Sequence, residues 1–107
     1  NVADLAEKRE LLSGLLQKIG GIRIFQPEGG FYFFIDVGQY LGRKGRRGVK
    51  ITSEGALVAY LLREYGVATI GGANYGCSPY LRLSFAGPKK EIQAGAEALR
   101  RAFDELR

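Results

Sequence analysis

Apolar and polar residues alternate along residues 80–86, YLRLSFA, as they do in a β-strand with one buried face. The apolar set that we expect on the core side consists of Leu81, Leu83 and Phe85. Arg82 then lies on the opposite side of the strand, together with Tyr80 and Ser84. An arginine on the polar side of a strand is ordinarily a solvated charge, so its neighbourhood decides whether it has another role.

Three segments have apolar residues at helical spacing. The first covers residues 2–19 and ends at two glycines. Its apolar stripe is Leu5, Leu12, Leu16 and Ile19. The second begins at Ser53 as an N-cap, continues with Glu54 at the positive end of the helix dipole, and ends at Gly66. The third follows Gly87 and Pro88. Its apolar stripe is Ile92, Ala96, Leu99, Phe103 and Leu106.

The run FYFFIDV, residues 31–37, is apolar on both faces, which predicts a central strand covered on both sides. Asp36, near its end, is expected to act as a cap or turn acceptor. Residues 22–26 and 67–70 fit short strands, residues 27–30 a turn, and residues 38–52 a loop without periodicity. We therefore predict a single domain over residues 1–107, an α/β (α+β) sandwich with a small, largely antiparallel sheet packed against helices.

Composition narrows the chemistry that the chain can perform. The 107 residues, 46% of them hydrophobic, suffice for one modest core. No apolar run reaches the length of a membrane span and the first residues do not resemble a signal peptide, so we expect a cytoplasmic protein without membrane contact. The absence of histidine excludes Ser-His-Asp and Cys-His catalysis and most zinc sites. The single cysteine, Cys77, is interpreted as buried or incidental.

Two glycine-rich or basic segments are candidate binding sites besides Arg82. The net charge of +5 is concentrated in the basic loop, residues 42–50, whose five cations are Arg43, Lys44, Arg46, Arg47 and Lys50. This loop could contact nucleic acid, but it has no aromatic residue among its charges to stack on bases, which favours a solvated insertion. The segment GGANYG, residues 71–76, lacks the spacing of a phosphate-binding loop and is not followed by a helix.

Arg82 is the third candidate, because a guanidinium binds a carboxylate through two parallel hydrogen bonds. A strand beside a glycine-rich loop would hold such a group rigidly. Two interpretations of Arg82 are compatible with these residues: a solvated charge and a carboxylate ligand.

The order of motifs resembles a known family. PEGGFYFFIDV, then SEGALVAYLLREYGVATIGGANYG, then YLRLSFA, then an amphipathic helix resemble the C-terminal small domain of class I/II pyridoxal-phosphate-dependent aminotransferases, the aspartate aminotransferase-like fold type I group. The resemblance covers nearly the whole chain. In that family the arginine of the last strand binds the α-carboxylate of the substrate, and Arg82 matches it. Gly29 and Gly30 match a segment that borders the substrate cleft, with a plain turn as the alternative.

The resemblance implies a substrate-binding domain of a larger enzyme. Such enzymes hold pyridoxal 5'-phosphate as a Schiff base on a lysine of a large domain, which this chain lacks. We therefore assign no catalytic, cofactor-binding or metal-binding residue here and expect the chain to be inactive alone. The implied partners are amino-acid and 2-oxo-acid substrates, the missing large domain, and a second copy in a homodimer.

The sequence departs from the family pattern at one point, and two other classes of function remain as alternatives. The family usually has proline-glycine before the aromatic residue of its glycine-rich loop, whereas Gly71 and Gly72 precede Tyr75 here. A freestanding, non-catalytic binding module and a nucleic-acid-contacting protein acting through residues 43–50 are the alternatives. Because the sequence begins with Asn-Val inside a predicted helix, we expect residue 1 not to be a natural start.

Overall fold

The computed structural model describes residues 2–19, 22–25, 32–72, 79–84 and 87–107. Within these ranges the chain forms three α-helices, with two strands between the first and second and two between the second and third, and two short 3-10 helices at residues 38–40 and 46–48. The helices are α1 (Val2–Gln17), α2 (Glu54–Tyr65) and α3 (Lys89–Glu105). The strands are β1 (Arg23–Phe25), β2 (Tyr32–Asp36), β3 (Ile70–Gly71) and β4 (Tyr80–Ser84).

The four strands form one antiparallel sheet in the order β1-β2-β4-β3. The long strands β2 and β4 lie at its centre and pair over their whole lengths, from Tyr32 opposite Ser84 to Asp36 opposite Tyr80. The predicted central position of the FYFFIDV run is thus confirmed. The two short strands form the edges, and each adds two or three residues to the ladder.

One face of the sheet is buried under the helices. Leu81 and Ile35 are fully buried on this face, and Phe33 and Leu83 are nearly so. All three helices contribute residues to the same core. The stripe predicted for α3 is buried along its whole length, as are Leu12, Leu16 and Ile19 of the first stripe. We call this side of the sheet the helix face and the other side the open face.

The ends of α2 follow the capping rules that the sequence predicts. The Ser53 hydroxyl accepts a hydrogen bond from the backbone N–H of Ala56 at 3.1 Å. Gly66 closes the helix in the left-handed conformation at φ 70°, which glycine adopts without a steric penalty. Its backbone N–H donates to the carbonyl oxygens of Leu61 and Leu62.

The predicted fold class is confirmed: the protein is a small α+β sandwich with an antiparallel sheet. The strand predicted over residues 67–70 is wrong in its bounds, because only Ile70 and Gly71 pair with β4. The backbone N–H of Val67 instead donates to the carbonyl of Leu61 at 3.2 Å and thereby completes the end of α2. The first helix likewise ends at Gln17, before the predicted residue 19.

Candidate functional site

Arg82 lies at the centre of the open face. In the strand register it is opposite Phe34 of β2 and Ile70 of β3, and Phe34 is opposite Phe25 of β1. Directly paired residues of neighbouring strands point to the same side of a sheet. One row of four side chains therefore crosses the open face, and its only charge is the guanidinium of Arg82.

The backbone under Arg82 is firmly held. Its neighbours in sequence, Leu81 and Leu83, are buried in the core on the helix face. β4 pairs with a strand on each side, so the position of Arg82 is fixed by ladders in both directions. A strand of this kind positions a side chain more accurately than a loop does.

An aromatic ring positions the side chain of Arg82 itself. The guanidinium carbon lies 4.7 Å from the centroid of the Tyr32 ring on β2. At that distance the cation is attracted to the face of the ring. Tyr32 also packs edge to face on Phe34, with ring centroids 5.9 Å apart. The half-buried guanidinium thus sits in an aromatic setting that limits its motion.

The open face leaves large apolar side chains in contact with solvent. Phe25 is 58% exposed and Ile70 is 36% exposed, and they stand at the two ends of the row that contains Arg82. When such a face is covered, the loss of water lowers the local dielectric constant and strengthens any ion pair made there. The row thus combines a rigid cation with a surface suited to burial.

Several residues singled out in the sequence lie outside the described ranges. These are Gly29 and Gly30 of the predicted cleft segment, Tyr75, Cys77, and Phe85 of the predicted core set. Their predicted roles stay predictions. Asp36, by contrast, is placed as expected, since its carboxylate accepts a hydrogen bond from the backbone N–H of Gly38 at 2.9 Å.

The basic loop is a short hairpin attached to the rest of the domain. The backbone N–H of Gly45 donates to Val49 at 2.8 Å. Lys44 exchanges two backbone hydrogen bonds of 2.9 Å with Arg107, which follows α3. The phenolic oxygen of Tyr60, a fully buried residue, accepts from the N–H of Arg46 at 2.7 Å. The loop is therefore more than the solvated insertion that its composition predicts.

Two of the five cations in the basic loop form ion pairs within the domain. Arg46 donates to the carboxylate of Glu105 at 2.8 Å and stacks on the ring of Tyr65, whose centroid is 4.1 Å from the guanidinium carbon. Arg47 pairs at 2.9 Å with Glu64, whose side chain is 4% exposed. These contacts leave fewer charges for nucleic acid than the sequence suggests.

The same contacts shift the ionisation of their partners. The hydrogen bond from Arg46, together with one from the Tyr65 hydroxyl, lowers the pKa of Glu105. The hydrogen bond from Arg47 lowers the pKa of Glu64. Desolvation, followed by the bond to Glu105, raises the pKa of Tyr65. All three shifts favour the charge states that hold the basic loop on α2 and α3.

The open face does not fit the cofactor that the resemblance implies. A Schiff base needs a lysine amine, and none of the residues that the strand register places on this face is a lysine. In the described ranges no three His, Cys, Asp or Glu side chains come together to hold a metal ion. Nor is any described helix long and apolar enough to cross a membrane.

Sequence reasoning missed the role of Tyr32. Alternation along residues 31–37 assigns Tyr32 to the second apolar face of the predicted central strand, but nothing in the sequence connects it with Arg82. The register supplies the connection, since Tyr32 is opposite Ser84, two positions beyond Arg82 on the same face. An aromatic residue on one central strand and an arginine on the face of the next is the pattern that would have indicated it.

Comparisons with known proteins agree with the motifs. The family model described as aminotransferase class I and II matches residues 1–99. A probable aspartate/prephenate aminotransferase of Rickettsia bellii is 31% identical over 106 residues, which are 99% of this chain and 27% of that protein. The aspartate aminotransferase of Rhizobium meliloti is 33% identical over 99 residues, 92% of this chain and 24% of that protein.

Solved structures give the same result. The crystal structure of the Rhizobium meliloti aspartate aminotransferase superimposes with a TM-score of 0.90 at 31% identity, covering 98% of this chain and 26% of that one. An aminotransferase from Mycobacterium tuberculosis reaches 0.78 at 28% identity, with 97% and 25% covered. The chain thus spans about a quarter of the length of these relatives. From the matched residues and the shared fold together, we conclude that the chain belongs to the class I and II aminotransferase family.

Proposed function

We propose that this chain is the substrate-carboxylate-binding small domain of a longer polypeptide that transfers an amino group between an amino acid and a 2-oxo acid. Arg82 is the residue that binds the α-carboxylate. The observation that carries the proposal is its place on the open face, between Phe34 and Ile70 and under the ring of Tyr32.

The geometry of Arg82 suits a carboxylate better than a spherical anion. A guanidinium offers a planar pair of N–H donors that matches the two oxygens of a carboxylate. The ring of Tyr32 lies 4.7 Å from the guanidinium carbon and limits the orientations that this planar group can take. Amino acids and 2-oxo acids share the α-carboxylate, so one arginine serves both halves of a transamination.

The apolar part of the open face supports a role inside a larger protein. Phe25 and Ile70 flank the arginine and are exposed in this chain. The remaining polypeptide, about three quarters of the length of the relatives, is the partner that would cover them. Closure of this domain over a bound substrate would then exclude water and strengthen the ion pair of Arg82.

The other components of the reaction belong to that remaining polypeptide. Its pyridoxal 5'-phosphate would supply the electron sink for amino-group transfer. This chain contributes no residue to the cofactor in our proposal and is inactive alone. We place the full-length enzyme in the cytoplasm as a homodimer. The residues Gly29 and Gly30 border the substrate cleft in the same proposal.

The two alternatives are less favoured. A nucleic-acid contact through residues 43–50 would compete with the ion pairs that Arg46 and Arg47 make to Glu105 and Glu64. A freestanding binding module would leave Phe25 and Ile70 exposed, whereas the rest of a longer polypeptide would cover them.

The test is Arg82→Ala in the full-length enzyme, with L-aspartate as the amino donor. We expect a higher KM and a lower kcat, because both the binding and the orientation of the substrate depend on the ion pair. Arg23→Ala is the matched control, since Arg23 is an exposed arginine on edge strand β1 of the same face. Unchanged kinetics in Arg82→Ala would refute the proposal.

A further inference from the structure

Glu54 is a buried carboxylate between α2 and the sheet. It is the first residue of α2 and is 7% exposed. In the described part of the chain the side chain of Glu64 is also nearly buried, at 4% exposed, and it pairs with Arg47. A buried carboxylate is costly unless its surroundings stabilise the charge. The N-terminus of α2 supplies part of that stabilisation, since its partial positive charge favours an anion.

The carboxylate of Glu54 lies against the backbone of Gly71. A Cβ atom added at Gly71 would lie 2.4 Å from Oε1 and 3.2 Å from Cδ of Glu54. Gly71 is not among the described glycines with a positive φ. A glycine is therefore required at this position because the Glu54 carboxylate occupies the space of a side chain, and not because of the backbone conformation. The glycine allows the carboxylate to approach the strand closely.

Gly71 belongs to the edge strand beside Arg82. β3 has two residues, of which Gly71 is opposite Leu81 and Ile70 is opposite Arg82. A two-residue strand has too few ladder hydrogen bonds to fix its own position, so contacts outside the ladder must hold it. The contact between Glu54 and Gly71 is such a support, and it comes from the helix face directly behind the row of Arg82.

From these contacts we infer that Glu54 is a positioning residue for substrate binding, which it serves by holding β3 against β4 next to Arg82. This inference rests on the proposed function of Arg82 as carboxylate ligand. Glu54 itself does not touch the substrate, because Gly71 and Leu81 face the helices whereas Arg82 and Ile70 face the other way. The contact between Glu54 and Gly71 sets the position of the neighbouring residue Ile70, which is opposite Arg82 in the strand register. It thereby sets the shape of the site at that edge.

The test compares Glu54→Ala and Gly71→Ala in the full-length enzyme, with KM and kcat measured for L-aspartate. Glu54→Ala removes the side chain that contacts Gly71. Gly71→Ala keeps the charge and drives the carboxylate away from the strand. We expect each to raise KM about 3- to 10-fold while kcat changes less than about twofold. Glu97→Gln, at an exposed position of α3, is the matched control and should change neither.

A rescue experiment separates positioning from general stability. Glu54→Asp shortens the side chain by one methylene and makes room for the added methyl group of Gly71→Ala. The double variant should therefore have a lower KM than Gly71→Ala alone. If Gly71→Ala does not fold, the KM of Glu54→Ala decides the question, and if Glu54→Ala does not fold, Gly71→Ala and its rescue decide it.

The outcomes distinguish this inference from the proposed function. A lower unfolding midpoint with unchanged KM in Glu54→Ala and Gly71→Ala would mean a purely structural role and overturn the inference. If Arg82→Ala raises KM in the same assay, the proposed function would survive that result. If Arg82→Ala has no effect either, the proposed function fails as well.

Discussion

The guanidinium carbon of Arg82 lies 4.7 Å from the centroid of the Tyr32 ring, across the two central strands of the sheet. Both strands are held on their far sides by the helical core, so neither partner shifts without disturbing that core. The ring restricts the arginine before any ligand arrives. A preorganised guanidinium loses less conformational entropy when it binds an anion.

Tyr32 should therefore affect substrate binding through its ring and not through its hydroxyl. Tyr32→Leu removes a cation–π contact of about 0.5–2 kcal/mol, which corresponds to a rise in KM of about 2- to 30-fold. Tyr32→Phe keeps the ring and should leave KM nearly unchanged. Steady-state kinetics of the two variants in the full-length enzyme provide the measurement. Equal effects of both substitutions would contradict this role of the ring.

A lysine in place of Arg82 should be a poor substitute. Arg82→Lys keeps the positive charge but loses the planar pair of donors. Loss of one charge-assisted hydrogen bond costs about 1.5–3 kcal/mol, which lowers kcat/KM by about 10- to 150-fold. Kinetics with an amino acid and with a 2-oxo acid should show losses of similar size, because both ligands share the carboxylate. A fully active lysine variant would indicate that only charge matters at this position.

The N-cap of α2 should contribute measurably to stability. Ser53→Ala removes the acceptor for the N–H of Ala56 and should lower the free energy of unfolding by about 1 kcal/mol. Thr52→Ala, one residue earlier at an exposed position, is the control and should have a smaller effect. Denaturant titration of the 107-residue chain measures both. Equal losses would argue against the cap.

Two glycine-to-alanine substitutions should change stability in opposite directions. A Cβ atom at Gly45 would lie 2.2 Å from the hydroxyl oxygen of Tyr60, so Gly45→Ala should destabilise by about 1–3 kcal/mol. Gly95 lies within α3 with open space around it, and Gly95→Ala should stabilise by about 0.5–1 kcal/mol through helix propensity. Thermal unfolding of the two variants checks the signs. A stable Gly45→Ala protein would mean that Tyr60 moves aside easily.

The sequence predicts those parts of the fold that rest on local pattern. The period of apolar residues predicts the helix stripes, and the caps at Ser53 and Gly66 follow from residue type alone. The alternation in YLRLSFA correctly separates Leu81 and Leu83 from Arg82. Such features depend on neighbours along the chain and not on distant partners.

Other features depend on contacts between segments distant in sequence. Of the strand predicted at residues 67–70 only Ile70 pairs with β4, and the second paired residue, Gly71, lies beyond the predicted end. The basic loop has no periodicity, yet Tyr60 and Arg107 hold it through hydrogen bonds that no local pattern indicates. The pairing of Tyr32 with Arg82 likewise requires the strand register. Composition describes the charges of this domain but not their partners.

The attachment of the basic loop to α3 should weaken in acid. The hydrogen bond from Arg46 lowers the pKa of Glu105 below its ordinary value of about 4.3. A carboxylate whose pKa is lower in the folded state stabilises the fold above its unfolded pKa. That contribution is lost as the pH falls through the folded pKa. Stability from Glu105 is therefore present at neutral pH, begins to fall near the ordinary pKa of about 4.3 and is lost in more acidic solution.

Glu105→Gln isolates this contribution, because the variant has no carboxylate to titrate at that position. We expect it to be less stable than the wild type at pH 7 and to approach the wild type as the pH falls below about 4. Denaturant unfolding of the 107-residue chain across this range measures the difference between the two proteins. Glu97→Gln, which breaks the exposed pair with Arg100, should change stability less at every pH. If the profiles of Glu105→Gln and the wild type run parallel through the acid range, Glu105 does not link the basic loop to α3 through its charge.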